Sequence, residues 1–495
     1  MSLLSKETKL LVGGEILEIP EDIQNNFFKG DLVIGIPEFK EVLLLPKREK
    51  DLIEKYVLKA LNAFNKMNEV SDEQISIFYK LFAENLGEAE IWGNIARANE
   101  IDVKNAKEKG RSTTRLEFRE GSRNDMIEGL RYWQNCDSER NKIIRTVKND
   151  GFSVSECKCS LGVVAFNFEG RPNVFADAAG VLKMGNTCIL RIGSDALNTA
   201  KAIMEFALNP ALNNSGLPEG SVNLVGSTSH EAAWALFSDK RISLAVARGS
   251  GKAVITLGSI AKQNGIPVSL HGTGGGWIIA DEDLDLERFK NSIFYSLDRK
   301  VCNTVNTICI PVKKAKLLMP VIIEALKKRG DISGYNFKIH TTKKAEEYIP
   351  ENLFKEKVKM FKKEGEVEDF CAETISENDL GIEWEFEKTP EVTITIINSV
   401  KEGISLFNEQ SPKFVVSYIC NNEKKKESFF RLINSPYISD GFTRWVDGQF
   451  IYNAPELGLA NWEEGRLFGR SGILTGGSIY SVKLLVKQER DDVRR

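Results

Sequence analysis

Histidine is scarce in this chain: three among 495 residues, at positions 230, 271 and 340. None forms a spaced pair with Cys, Asp or Glu, which argues against a zinc or iron site. Basic excess is missing as well. The net charge is −3 and no aromatic-basic stripe stands out, so nucleic acid is not an expected partner. The longest apolar runs, such as Leu317 to Ala325 and Val392 to Ile397, are far too short to span a bilayer. The early charges of the N-terminus leave no apolar signal region. These absences predict no membrane partner and a cytoplasmic location. Eight cysteines without regular spacing exclude a disulfide framework and fit a reducing compartment. There is no G-x-G-x-x-G fingerprint, so an ordinary dinucleotide-binding reading lacks its usual signature.

What is present is ordinary globular composition, 42% hydrophobic and 28% charged, in a chain long enough for two or three cored domains. Short strands are expected at Lys9 to Val12, Gly14 to Ile19, Asp31 to Ile36 and Glu41 to Leu45, broken by Gly13-Gly14 and Pro20. From Lys47 to about Trp133 apolar residues recur at helical spacing. Lys142 to Asn167 alternates around Asn149-Asp150-Gly151, a hairpin signal. After Leu161 strands alternate with helices: strand 162–168, helix 174–184, strand 187–191, helix 194–208, strand 222–225, helix 229–238, strand 242–246 and helix 252–264. This rhythm implies an α/β fold with a parallel, doubly wound sheet, the usual platform for a dinucleotide. A second α/β unit follows Asp281-Glu282-Asp283, with helices at 286–297, 315–328 and 343–348. Lys355 to Asp369 reads as a charged surface segment, and Ser478 to Val486 as a terminal strand.

One cysteine stands apart, in Val301-Cys302-Asn303-Thr304-Val305-Asn306-Thr307, beside an amide side chain and downstream of a glycine-rich turn from His271 to Gly276. A thiolate is the strong neutral-pH nucleophile among side chains, and acyl transfer through a thioester needs a donor for the oxyanion that forms. Asn173, after Pro172 at the first strand-to-helix turn, suits that donor together with the backbone N–H of Cys302; it equally suits a helix N-cap. Arg171 and Arg444 could clamp a carboxylate or phosphate by forked hydrogen bonds, or form structural salt bridges. Gly226, Gly249 and Ser250 would let backbone approach a cofactor closely. Cys188, Cys309, Cys371 and Cys420 read as space-filling core residues, and Cys157 and Cys159 as packing on one strand face.

The segments Phe168-Glu169-Gly170-Arg171-Pro172-Asn173-Val174, Leu182-Lys183-Met184-Gly185-Asn186, Arg248-Gly249-Ser250-Gly251-Lys252, Val301-Cys302-Asn303 and Thr443-Arg444-Trp445-Val446-Asp447-Gly448 occur in the order found in the γ-glutamyl phosphate reductases. The chain resembles that family, within the aldehyde dehydrogenase superfamily, from about Ile95 to Val486. The resemblance implies an aldehyde dehydrogenase-like fold: a Rossmann-type cofactor domain, an α/β catalytic domain and a β-hairpin oligomerisation arm. Boundaries are expected as an N-terminal extension at 1–60, a cofactor domain at 61–268 interrupted by the hairpin at 142–167, a catalytic domain at 269–446, and a return through 447–495. It further implies an NADPH-dependent reduction in which Cys302 attacks an acyl phosphate, and a homodimer or homotetramer joined through the hairpin and terminal strand.

By the same resemblance Asn303, Arg171 and Arg444 contact substrate. His271 stands where hydrolytic relatives carry a water-activating glutamate; it reads as an acid–base group or as a strand-end histidine bonded to backbone. Arg191 and Ser194 stand at the adenosine end, where the superfamily has a lysine and often a glutamate; losing that carboxylate favours NADP over NAD. Glu385 or Glu387 is expected on the nicotinamide ribose. The chain departs from the family at Asn306, where a glutamate is usual, at Gly272 to Trp277, and at Asn408 to Phe414. All three surround the acyl pocket, so a reductase of acyl-CoA or another acyl phosphate, or an inactive nucleotide-binding relic, are the alternative readings.

Overall fold

The computed structural model describes the chain except residues 1–3, 5–6, 112, 114–115, 169, 363–364, 462–471 and 495; Glu169 of the resemblance thus lies outside the described residues. Two compact units emerge. The first comprises Met1–Gly272, Tyr452–Leu459 and Leu467–Arg495, the second Thr273–Ile451 and Ala460–Arg466.

The first unit is built on a five-stranded parallel sheet: β1 (Val163–Phe168), β2 (Thr187–Ile192), β3 (Val222–Leu224), β4 (Leu244–Arg248) and β5 (Val268–His271), in the order 5-4-1-2-3. These strands are buried and mostly apolar on both faces because helices cover both. Alternation sorts the side chains. Val163, Ala165 and Ile189 enter one core, while Val164, Phe166, Phe168 and Leu190 enter the other. Leucine and isoleucine branching and aromatic bulk fill the second core with Phe78, Tyr79, Phe82 and Trp133 from helices Asp72–Gly87 and Glu120–Asn135. Helix Asp72–Gly87 starts on a capping box, Ser71 accepting from the Gln74 N–H while the Gln74 side chain accepts from Ser71.

The end of the extension expected at residue 60 falls inside helix Lys47–Met67, whose Ile53, Val57 and Ala60 are wholly buried in the first core. Ile36 and Leu45, from the hairpin Leu32–Ile36/Glu41–Leu45, join the same core. The N-terminal segment is therefore a covering layer of this unit. Its strands Lys9–Val12 and Glu15–Glu18 form a separate hairpin.

Strands Ile143–Asn149 and Phe152–Ser160 pair antiparallel as a hairpin. Terminal strand Tyr480–Gln488 adds to the other edge of Phe152–Ser160, giving a three-stranded arm. The hairpin ends at Ser160, short of the expected 167, because Leu161-Gly162 turns the chain into β1.

Elsewhere the period was legible and the bounds were not. The expected strand 242–246 is β4 at Leu244–Arg248, and the helix expected at 194–208 is a run of 3₁₀, α and π turns to Leu208. The second unit holds a seven-stranded parallel sheet: β6 (Gly276–Ala280), β7 (Val305–Pro311), β8 (Lys338–Thr342), β9 (Ala372–Ile375), β10 (Glu391–Ile397), β11 (Val415–Ile419) and β12 (Tyr437–Ser439), ordered 9-8-10-7-6-11-12. Helices Leu286–Tyr295 and Ala315–Ser333 bury Phe289, Ile293, Leu318 and Ile322 against Ile278, Ile308 and Ile310. The expected charged surface segment Lys355 to Asp369 is exposed at most of its described charged residues and pairs as an antiparallel hairpin, Lys357–Lys362 with Gly365–Phe370. Alternating lysines hid it: Met360, between them, is fully buried. Among the described residues no helix is long and apolar enough to cross a membrane.

Candidate active site around Cys302

In the first unit the order 5-4-1-2-3 puts the topological switch point between β1 and β4. Open α/β sheets bind ligands beyond the carboxyl ends of the strands at such a point. The turn after β1 carries Arg171 and Asn173; the turn after β4 carries Gly249 and Ser250. Asn173 occupies the N-cap position of helix Val174–Ala179 but makes no side-chain cap hydrogen bond, so the capping alternative is not the one realised. Ser250 likewise precedes helix Gly251–Gln263 without a side-chain cap. The first N–H groups of that helix have no intrahelical acceptor, and this end suits a dinucleotide phosphate. Gly226, after β3, donates its N–H to Tyr56 Oη at 3.2 Å.

Of two expected cofactor residues, one is engaged by protein groups and one is exposed. Arg191 is buried, its guanidinium donating to the carbonyls of Thr228 at 2.9 Å and Ser229 at 3.1 Å, and burial lowers its pKa. It fastens the β3-to-helix turn and is already supplied with acceptors. Ser194 is exposed, and the carboxylate beside it, Asp195, pairs with Arg111 at 2.6 Å. His271 ends β5 and accepts at Nδ1 from the Leu459 N–H at 3.4 Å, the backbone-bonded state of a strand-end histidine.

In the second unit Cys302 lies in the loop before β7, a tight turn in which Thr304 N–H donates to the Val301 carbonyl at 3.0 Å and Val301 N–H to Thr304 Oγ1 at 2.9 Å. The residue is half-buried, whereas Cys188, Cys309, Cys371 and Cys420 are buried, as expected of core cysteines. Burial pushes the Cys188, Cys309 and Cys371 thiols up, away from the thiolate.

The glycine turn before β6 is folded onto this loop. Gly275 N–H donates to the Cys302 carbonyl at 2.7 Å. A Cβ on Gly274 would fall 2.3 Å from the Cys302 oxygen and 2.7 Å from its Cα and Cβ, so no side chain fits there. Gly275 has φ +112°, closed to most other residues.

Asn303 and Arg444, expected to hold substrate, hold each other. Arg444 Nη1 donates to Asn303 Oδ1, its Nε to Asp298 at 2.6 Å, and Asn303 Nδ2 donates to the Val446 carbonyl at 2.7 Å. Asn303 is 2% exposed, which removes it from ligand. The pair anchors the exit of the nucleophile loop.

The expected ribose carboxylates lie apart from the Cys302 loop's own contacts. Glu385 and Glu387 are exposed, and Glu383 is the carboxylate that reaches the Cys302 loop. It accepts from Gly274 N–H at 2.6 Å and pairs with Lys300. Asn306 brackets it: Nδ2 donates to the Ile382 carbonyl at 2.6 Å, and Oδ1 accepts from Trp384 N–H at 3.0 Å. A glutamate at position 306 could not make the first of these bonds, since an ionised carboxylate has no donor. Trp384 in turn stacks on His340 at 3.5 Å and donates Nε1 to Thr393 at 2.8 Å. His340 sits between Glu373, 2.8 Å from Nδ1, and Glu391, 3.1 Å from Nε2. His340 and then Lys338 hold the Glu373 carboxyl down to about 2. Asn461 closes the far side, donating to the Pro412 carbonyl at 2.5 Å and that of Thr273 at 3.3 Å. Sequence reasoning missed Glu383, Lys300, His340 and Asn461. One signal was available: a carboxylate missing at Asn306 invites a search for its replacement.

With this geometry established, comparison with known proteins is direct. A model of the aldehyde dehydrogenase family matches residues 41–328, more than half the chain. The chain belongs to the aldehyde dehydrogenase family. It is an oxidoreductase acting on the aldehyde or oxo group. It is 28% identical over 432 residues to a γ-glutamyl phosphate reductase of Clostridium botulinum, covering 85% of this chain and 93% of that one. Another γ-glutamyl phosphate reductase, from Clostridium beijerinckii, is 27% identical over 416 residues, covering 82% and 92%. The γ-glutamyl phosphate reductase structure from Thermotoga maritima is 25% identical with a TM-score of 0.77, covering 90% of this chain and all of that one. An acetylating aldehyde dehydrogenase from Geobacillus thermoglucosidasius shares the fold at 14% identity and a TM-score of 0.61, covering 90% of this chain and 99% of that one.

If Asn306 aims Glu383, Asn306→Asp should lower stability by about 1 kcal/mol, the net worth of the part-buried hydrogen bond to the Ile382 carbonyl that it loses. Thermal melting reads this directly. An unchanged melting temperature would show that Asn306 is only a neighbour of Glu383.

Proposed function

We propose that this family member reduces γ-glutamyl phosphate to glutamate-5-semialdehyde and phosphate, with NADPH, through a thioester on Cys302. The observation that carries the catalytic assignment is the contrast among cysteines: Cys302 alone combines partial exposure with a loop whose entry, exit and neighbouring turn are all fastened. The substrate assignment rests on the γ-glutamyl phosphate reductases that match across nine-tenths of their own length.

The Cys302 thiolate attacks the acyl carbon, and the tetrahedral adduct collapses to the thioester as phosphate leaves with the bonding pair. Asn173 donates its amide N–H to the oxyanion in both half-reactions. The dinucleotide, when bound, supplies the hydride that converts the thioester to the aldehyde. Collapse of the second adduct releases aldehyde and regenerates the thiolate. Gly249, Ser250 and Gly226 border the dinucleotide, and Arg171 binds the substrate's charged groups. His271, at the end of β5, is the candidate acid–base group for proton exchange. Ser194 at the adenosine end leaves the 2′-phosphate unopposed, because the one adjacent carboxylate is already paired with Arg111. This favours NADP over NAD.

A homodimer is part of the same proposal. The three-stranded arm exposes Ile143, Ile144, Val147, Val482, Leu484, Leu485 and Val486, an apolar display that suits burial by a second copy.

Phosphate-dependent reduction of NADP by glutamate-5-semialdehyde should be measurable with the purified protein and lost in Cys302→Ser, while dinucleotide binding by fluorescence persists. Turnover of acyl-CoA substrates alone, with no phosphate dependence, would replace the proposed substrate. Asn173→Ala should cost about 10² to 10³ in turnover; a loss below about threefold would remove it from the oxyanion site. Leu484→Asp together with Val482→Asp should convert the protein to monomer in sedimentation, and an unaltered assembly would place the subunit contact elsewhere.

A further inference from the structure

Lys300 and Glu383 form an ion pair beside the nucleophile, with side chains only 7% and 13% exposed. Removing two charges from water is costly unless further hydrogen bonds satisfy them. Here they do: Glu383 also accepts from Gly274 N–H at 2.6 Å, and Lys300 Nζ also reaches the Val301 carbonyl at 3.4 Å. Both added bonds lead to Cys302. Val301 precedes it in the chain, and Gly274 lies against its Cα, with the next residue, Gly275, bonded to its carbonyl. A pair that only stabilised the fold would have no reason to close on the two backbone segments that enclose one cysteine.

We propose that Lys300 and Glu383 are positioning residues for Cys302: the pair clamps the Val301 and Gly274 backbones around the nucleophile and sets the balance of charge at its sulfur. The inference rests on the reading of Cys302 as the nucleophile. Other charged groups around the loop are accounted for. Asp298 and Arg444 neutralise each other at 2.6 Å, and Arg299 is exposed. Behind Trp384, His340 is flanked by Glu373 and Glu391, with Lys338 on Glu373 at 3.3 Å. Lys300 and Glu383 are therefore the opposed charges closest in chain and backbone contact to Cys302. Removing either leaves the other uncompensated, with opposite consequences for a thiolate.

The test uses full-length protein and follows iodoacetamide alkylation of Cys302 by mass spectrometry across pH, alongside steady-state kinetics. Glu383→Gln should move the alkylation midpoint down and Lys300→Met should move it up, each by roughly half a pH unit or more. Turnover should fall at least about tenfold in both, with KM changing less. Lys300→Arg should restore both readings toward wild type. Midpoints that stay fixed, or move the same way in both variants, overturn the proposal even where activity falls. If the single variants fail to fold, the doubly conservative Lys300→Arg with Glu383→Asp keeps both charges; a midpoint near wild type there supports the pair, and a displaced one overturns it. If instead another cysteine is alkylated fastest and Cys302→Ser keeps full turnover, the nucleophile assignment itself has failed, which these profiles separate from failure of the pair.

Discussion

The Glu383 carboxylate, held between an ammonium and a peptide N–H, is the constraint on which the nucleophile loop depends. A loop of small and polar residues ahead of a buried strand has little apolar area to fix it. What fixes it is hydrogen bonding: Gly275 and Gly274 on one side, Thr304 within, and Asn303 with Arg444 at the exit. Each bond alone contributes about 1 kcal/mol. Their concentration on one half-exposed thiol is what separates Cys302 from the cysteines that burial makes inert.

The sheets supply the rigid frame for this. Parallel strands covered on both faces are buried along their length and mostly apolar, as Val163 to Phe168 and Val305 to Pro311 are. Chemistry is then confined to strand ends and the loops beyond them. Asn173 and Ser250 lie beyond carboxyl ends in the first unit, and Cys302 lies before an amino end in the second.

How much of this was legible in sequence follows from range. Alternation and turn chemistry act over a few residues, so the strand–helix rhythm, the Asp150-Gly151 hairpin and the exceptional setting of Cys302 could be read directly. Element bounds slipped where neighbouring residues fit both states, as at β4. Pairings across the fold could not be read. Nothing local in Glu383 distinguishes it from Glu385 or Glu387; its partners Gly274 and Lys300 lie 109 and 83 residues away. Arg191, Arg444 and Asn303 carried the right residue types for ligand binding, and only the acceptors around them show that protein groups occupy those donors.

The departures from the family pattern also bear on whether the site is intact. Of the altered positions, Trp277 Nε1 and Gln410 Oε1 are buried without a hydrogen-bond partner among the described residues, whereas Asn306 and Gly274 fit their surroundings. Asn306 supplies a donor that glutamate lacks, and the loop it holds presents Glu383. Lys300 neutralises that carboxylate, and Gly274, in the altered turn after His271, is the N–H it accepts from. Restoring a glutamate at 306 alone would set two carboxylates near each other and strand the Ile382 carbonyl. Asn306, Gly274, Lys300 and Glu383 therefore form one matched set around the Cys302 loop.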